Sequence, residues 1–382
     1  MKNTDSIKLL HVASSHRLGL TNQETQLALA YNALPDLDIS VLSGEMEQFA
    51  GCFSELEATN IPVVRIVGFD EHHDLKRLIR EFTIAADNTM ADIVSVNTNW
   101  QLLVAGLARL FAKKNYKIIY TIHGFRNNHF IKSFVARFFI SVLLFVFADK
   151  INAPSTYVRK KFNLLSYKMR SIPLGEDETF FRNSKLPDFS KRLAFCFPGQ
   201  FRPGKNQILL IKAFAEYINQ TSDSNSILIL PGEGELLSKC KVLAEKKGIT
   251  RQVFFPGQVD RPSMMEIYQL CQITLVASNV ETFGHCIAEP LVMKRIIISR
   301  SVGIASDVIT HGINGFLYST YQELVSLMVS LRHMDNNQLE EISKQAGITA
   351  EHFSWRKVSE QYLEDLIKPV LSKPKSRRNE VV

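Results

Sequence analysis

Short apolar runs rich in β-branched residues alternate along this chain with longer stretches whose apolar positions recur every three or four residues. Runs at 8–13, 39–42, 61–67, 93–96 and 118–122 read as strands, and 23–34, 75–86 and 102–111 between them read as helices. The pattern restarts beyond 173–191, where Pro, Gly and acidic residues cluster. Strands at 193–197, 227–230, 253–255, 273–276 and 296–299 follow, with helices at 207–218 and 235–246. Such alternation predicts parallel sheets covered on both faces, an α/β chain of two successive doubly wound domains. A last helix over 354–367 carries Trp355, Val358, Tyr362, Leu363 and Leu366 on one side, and a tail after Pro369 with Lys373, Lys375, Arg377 and Arg378 reads as disordered.

A length of 382 residues suits two domains, and 46% hydrophobic with 22% charged residues excludes a disordered chain, a collagen-like repeat and a small disulfide scaffold. The formal charge of +7 is mild, but its placement is informative. Between Ile93 and Gly175 thirteen lysines and arginines face Asp149 alone. Such a field attracts the phosphates of lipid headgroups, nucleotides or nucleic acid; the plain alternative is a solvated basic face. Five cysteines, odd in number and without a C-x-x-C pair, point to a reducing compartment and no structural zinc. The opening residues lack a signal-peptide core, so a cytoplasmic protein is expected. The uncharged segment Phe138 to Ala148 is 11 residues long where a span needs about 20, so it reads as a helix buried in a core or lying in a membrane surface.

In open α/β sheets ligands bind beyond the carboxyl ends of the strands. The loop after the first strand, 14–21, contains Gly19 and precedes a helix; it is a phosphate or sugar loop or a plain turn. His123 ends the fifth strand, as a functional group or as a structural hydrogen-bonder. Pro198-Gly-Gln-Phe-Arg-Pro-Gly-Lys-Asn206 turns from strand to helix with Arg202 and Lys205, which suits a diphosphate as well as a solvated turn. Glu281 and Glu289 flank a turn at Gly284, His285 and Cys286; a carboxylate accepts two sugar hydroxyls at once, while free amides there face phosphate oxygens. Two acids at this spacing are otherwise surface acids. Asp36-Leu-Asp38 is formally a D-x-D metal motif, but it precedes a strand and reads as a turn.

Glu281-Thr-Phe-Gly-His-Cys-Ile-Ala-Glu289 resembles the E-x7-E signature of retaining GT-B glycosyltransferases, the family 4-like enzymes of bacterial surface-polysaccharide synthesis. Ile172-Pro-Leu-Gly175, Pro198 to Lys205, Leu230-Pro-Gly-Glu-Gly234 and His311-Gly-Ile-Asn-Gly-Phe-Leu-Tyr318 resemble further family motifs in the same order. The resemblance implies an acceptor-binding Rossmann-like domain at 1–175, a nucleotide-sugar-binding one at 176–350, a helix at 351–368 crossing back to the first domain, and a basic tail at 369–382. By position, Glu289 would hold the ribose hydroxyls, and Glu281 and His123 would reach the transferred sugar. Gly19, Arg202, Lys205, Glu233, Thr282, Phe283, Gly284, His285 and Cys286 would complete the donor site. No metal and no cofactor are implied, the donor being a nucleotide sugar, a UDP-sugar in the first instance.

The implied reaction moves a hexose or N-acetylhexosamine to a glycan in O-antigen, capsule or exopolysaccharide synthesis, and the basic stretch together with the apolar segment Phe138 to Ala148 points to a lipid-linked acceptor. Arg126, Lys132, Arg137, Lys160 and Lys161 would face the acceptor or the anionic inner face of the bacterial cytoplasmic membrane, and no nucleic acid would take part. A GT-B epimerase and a non-catalytic basic nucleic-acid-binding protein are the alternatives. The chain departs from the family pattern at Gln200 (family Arg), Thr282 (Gly), Pro290 (Ala), and Lys294 and Ile296 (Gly and Pro).

Overall fold

The computed structural model describes residues 6–13, 18–45, 56, 58–69, 74–123, 130–190 and 192–372, with the backbone alone at 18–22, 45 and 130–137. The chain divides into two compact units. The first comprises Met1–Pro154, Val158–Gly175 and Trp355–Val382; the second comprises Ser155–Tyr157 and Glu176–Ser354. The sequence-derived boundaries therefore move: residues 155–157 join the second unit, and the return to the first falls at 354/355 rather than 350/351.

In the first unit strands β1 (Ile7–Ala13), β2 (Leu37–Glu45), β3 (Val63–Val67), β4 (Ile93–Val96), β5 (Lys117–Thr121), β6 (Lys150–Asn152) and β7 (Met169–Arg170) form one sheet of order β3-β2-β1-β4-β5-β6-β7. Every pairing is parallel. Helices α1 (Leu18–Asn32), α2 (Leu75–Asn88), α3 (Asn99–Ala108) and α4 (Phe130–Phe147) connect them. Successive turns of α2 bury Leu78, Phe82, Ala85 and Ala86. A capping box starts α3, with Thr98 accepting from the Gln101 amide and the Gln101 side chain accepting from the Thr98 amide.

Two expectations change here. Helix α1 begins at Leu18, not at Gln23, because the polar run Thr21-Asn-Gln23 interrupts the apolar period without interrupting the helix; Gly19 thus lies in the first helical turn rather than in a loop. Asp38 belongs to β2. Residues 138–147 of the apolar segment fall in the 18-residue α4, which is not simply a core helix: Phe138, Phe139, Val142, Phe145 and Val146 are exposed, Phe139 to 67%. Among the described residues no helix is long and apolar enough to cross a membrane.

The second unit repeats the plan with β8 (Ala194–Cys196), β9 (Ile227–Ile229), β10 (Val253–Phe254), β11 (Ile273–Val276), β12 (Ile296–Arg300) and β13 (Phe316–Tyr318), in the order β10-β9-β8-β11-β12-β13. All its pairings are parallel as well. Its longer helices are α5 (Gln207–Thr221), α6 (Leu237–Lys246), α7 (Arg261–Leu270), α8 (His285–Val292), α9 (Tyr321–His333) and α10 (Asn336–Ala350). Strands β6, β7 and β13 have two or three residues each, too short for alternation to mark them.

Helix α11 (Trp355–Tyr362) and the turns after it return to the first unit. Trp355, Val358, Tyr362, Leu363, Leu366 and Ile367 pack with Leu27, Tyr31, Ile39 and Val41 in a single buried cluster. The Tyr362 hydroxyl is held within this core by Asn152 Nδ2 and by Thr121 Oγ1 at 3.2 Å. Two parallel-sheet Rossmann-like domains, each wound on both faces, are the fold class read from the sequence.

Candidate active site

The carboxyl ends of β8, β9 and β11 converge in the second unit. The loop after β8 is bonded to the loop after β9, through the Gly199 amide to Pro231 O (2.9 Å) and the Phe201 amide to Glu233 O (2.7 Å). Between them opens a cavity of about 790 Å³. Gln200, Arg202 and Glu233 line one wall; Gln258, Arg261 and Glu289 line others. Arg202, Gln200 and Glu233 are exposed.

After β11 the chain makes the turn that carries Glu281 to Gly284. Gly284 sits at φ 100°, a left-handed conformation that disfavours side chains, and a Cβ there would approach Ile287 Cδ1 to 2.8 Å. It caps α8, so the amides of His285 and Cys286 have no acceptor within the helix, whereas those of Ile287 (2.8 Å) and Ala288 (3.1 Å) donate to Gly284 O. Gly303, at φ 53°, lets the loop after β12 lie against this turn: a Cβ would stand 2.2 Å from Phe283 O and 2.8 Å from Glu281 Cβ. The Ile304 amide donates to Phe283 O (2.8 Å), and Ser155 Oγ donates to Thr282 O (2.6 Å). Thr282 takes its place without a positive φ.

This framework sets the charged groups. Lys205 Nζ donates to Glu281 Oε1 at 2.5 Å, both side chains 13% exposed. Burial works against the Lys205 ammonium, yet Cys286 and Glu281 beside it outweigh burial and raise it above the usual lysine range. The Cys286 thiol points its proton at the same Glu281 oxygen (3.7 Å), and burial, then Glu281, push it well above the usual thiol range. Four cysteines, at 196, 240, 271 and 286, are buried and unbridged. Glu289 Oε2 accepts from Tyr268 Oη at 2.9 Å. Burial and the nearby carboxylate of Glu176 push Glu289 up to about 7. His285 Nδ1 lies 2.7 Å from Glu176 Oε1, and Phe283 packs edge-on against the His285 ring at 5.2 Å. Glu176, His285 and Glu289 bring donor atoms within 4.8 Å of one another. Within the described residues His285 Nδ1 on Glu176 Oε1 and Tyr268 Oη on Glu289 Oε2 make this a hydrogen-bonded cluster.

The structure thus brings together Lys205, Glu281, Thr282, Phe283, Gly284, His285, Cys286 and Glu289, and places Arg202 and Glu233 on the cavity wall. In the first unit His123 follows β5, with Nε2 3.3 Å from Asn97 Oδ1; Asn97 Nδ2 donates to Val12 O at 3.1 Å. Lys160 and Lys161 are exposed at the start of the 3-10 segment Lys160–Lys168. Arg126 lies outside the described residues, as do loop residues 14–17 and tail residues 373–382; for Gly19, Lys132 and Arg137 only the backbone is described. The basic stretch is partly neutralised inside the fold, Arg109 (2.6 Å) and Lys117 (3.2 Å) both meeting Asp149.

Two of the departures have a defined place in the structure. Lys294 adopts φ 60°, the conformation for which the family pattern has Gly. Pro290 lies inside α8, beyond its first turn, and the helix ends two residues later. Sequence reading missed Glu176 and Tyr268. Their partners stand 109 and 21 positions away, and no spacing rule links them.

Residues 178–348 match the family described as glycosyl transferases group 1. The chain is 23% identical over 321 residues to alpha-monoglucosyldiacylglycerol synthase of Acholeplasma laidlawii, covering 77% of this chain and 78% of that one. It is 24% identical over 166 residues to an uncharacterised glycosyltransferase of Methanocaldococcus jannaschii, covering 43% of this chain and 41% of the relative's length. Anabaena HepE in complex with UDP has a similar fold, with a TM-score of 0.75 at 20% identity over 95% of this chain and 100% of that one. Residues 178–348 thus match the glycosyl transferases group 1 family, within a chain whose two parallel-sheet domains have the GT-B fold.

Proposed function

We propose that this chain is a retaining glycosyltransferase that moves a hexose or N-acetylhexosamine from a UDP-sugar to a lipid-linked glycan acceptor of bacterial surface-polysaccharide synthesis. The observation that carries the reading is the Lys205–Glu281 pair beside the free amides of α8, with Glu289 on the wall of the adjoining cavity. Glu289 accepts the ribose hydroxyls, and the cavity takes the base. Diphosphate oxygens meet the α8 N-terminus, Lys205 and Arg202, whose guanidinium stands two residues from the Gln200 that replaces the family Arg. The charge that develops on the departing diphosphate is stabilised by these fixed cations and amides, so transfer is expected to survive chelation of divalent metals. Glu281 holds Lys205 in place and contacts the donor hexose. The leaving diphosphate takes the proton of the attacking hydroxyl on the same face of the sugar. Binding of UDP by the structural relative HepE supports a uridine nucleotide.

Glu281→Ala and Glu289→Ala are each expected to lower transfer from the UDP-sugar by at least about 100-fold with the fold retained, although Glu281→Ala also lowers the unfolding temperature because it leaves the buried Lys205 unpaired. Radiolabelled sugar transfer to a lipid extract measures the first, calorimetry the second. A fully active Glu289→Ala would remove the donor-site assignment.

A further inference from the structure

Glu176 is 0% exposed, yet it carries a carboxylate into the core of the second unit. Its backbone is fixed by a parallel bridge to Ser354 and by its amide donating to Phe353 O (2.8 Å). Oε1 meets His285 Nδ1, while the buried Oε2 has no hydrogen-bond partner. A carboxylate in that position is costly unless a neighbouring proton or cation balances it. Two groups within reach carry such a proton: His285, the first residue of α8, and Glu289, one turn further on.

We propose that Glu176 is a positioning residue which, through His285, sets whether Glu289 meets the ribose as a carboxylate or as a carboxylic acid, so that nucleotide binding is coupled to release of a proton. The inference rests on Glu289 being the ribose ligand.

Burial works against a charged His285, but Glu176 outweighs it and raises the imidazole above its usual range. Burial and Glu176 together bring Glu289 to about 7, with His285, Tyr268 and Arg261 acting in the opposite direction. The other charged groups around the cluster are Cys286 on α8 and Asp177, which is paired with Arg261. Two ribose hydroxyls donate to a carboxylate and favour its ionised form. Binding therefore lowers the Glu289 value, a proton leaves, and affinity rises as pH increases through the neutral range.

The experiment is calorimetric titration of UDP-glucose, whose diphosphate is esterified at both ends and does not itself titrate in this range, into the whole protein from pH 5.5 to 8.5, in buffers of different ionisation enthalpy. Release of a proton near pH 6.5 is expected. Glu176→Gln removes the largest charge that raises Glu289 and moves the midpoint of the affinity profile down; His285→Asn removes the compensating cation and moves it up, each by about one pH unit. Opposite displacements by the two partners of one hydrogen bond are not what a merely structural pair gives, since both changes would then weaken binding at every pH. UDP-glucose binding that is lost in Glu289→Ala but insensitive to pH would overturn the coupling and leave the donor site standing. Absence of UDP-glucose binding at any pH would defeat the donor-site reading, and this inference with it.

Discussion

At the scale of single residues the molecule shows two ways of burying a titratable group. Arg295 stays charged because Nε donates to Met293 O (2.7 Å), Nη1 to Cys271 O (3.0 Å) and Nη2 to Lys185 O. His11 takes the other course. It lies fully buried on β1, edge-on to Tyr31 at 6.0 Å, and burial, ahead of an opposing backbone contact to Glu24, lowers it to about 4. The folded chain keeps His11 neutral until about pH 4, whereas the unfolded chain protonates it below about 6.5. The unfolded state binds the extra proton between those values, so acidification across that window costs up to about 3 kcal/mol of stability. Thermal unfolding followed from pH 4 to 7 should show that slope, and His11→Leu should flatten it; an unchanged slope would exclude His11 as its source. None of this was legible in the sequence, where His11 is one polar residue inside an apolar run. The site acids were legible, because a turn between a strand and a helix leaves a local signature, and Glu281 and Glu289 carry it within nine residues.

Elements were read as well as their length allowed. Strands of four or more buried residues, such as β4 and β11, declare themselves as apolar runs, whereas β6, β7 and β13 offer two or three residues apiece. Helix α11 was legible because its stripe is complete: Trp355, Val358 and Tyr362 recur at helical spacing and all are buried. What the stripe concealed was the polar work of Tyr362, whose hydroxyl lies between Asn152 and Thr121. Tyr362→Phe keeps the ring in the core and removes that bridge, and it is expected to lower stability by about 1–2 kcal/mol in denaturant unfolding. A neutral result would mean that Asn152, which also exchanges hydrogen bonds with Ile172, is satisfied without the tyrosine.

For the molecule as a whole, the concentration of basic residues in the first unit acquires a second component. Exposed phenylalanines at 138, 139 and 145 stand on α4, and Lys168 lies over the Phe145 ring at 5.3 Å while donating to Phe145 O and Ala148 O. The same 3-10 segment exposes Lys160, Lys161 and Leu164. Apolar rings with ammonium groups nearby suit the headgroup region of an anionic bilayer, in line with the lipid-linked acceptor proposed above. Flotation with vesicles of phosphatidylglycerol is expected to carry the protein at low salt and to fail with phosphatidylcholine alone. Replacing Lys160 and Lys161 by Glu, or Phe138 and Phe139 by Ser, should each reduce the floated fraction several-fold, and indifference to both changes would exclude this surface.

The division of the chain has a consequence for the order in which it is made. On the ribosome the first unit is synthesised almost entirely before the second, but Leu27, Tyr31, Ile39 and Val41 wait for Trp355, Val358 and Leu366 to cover them. The second unit is complete once Ser354 emerges, so the part of the protein begun first is the last to close. Throughout that interval the nascent chain displays an uncovered apolar face, the stage at which chaperone capture or aggregation would compete with folding.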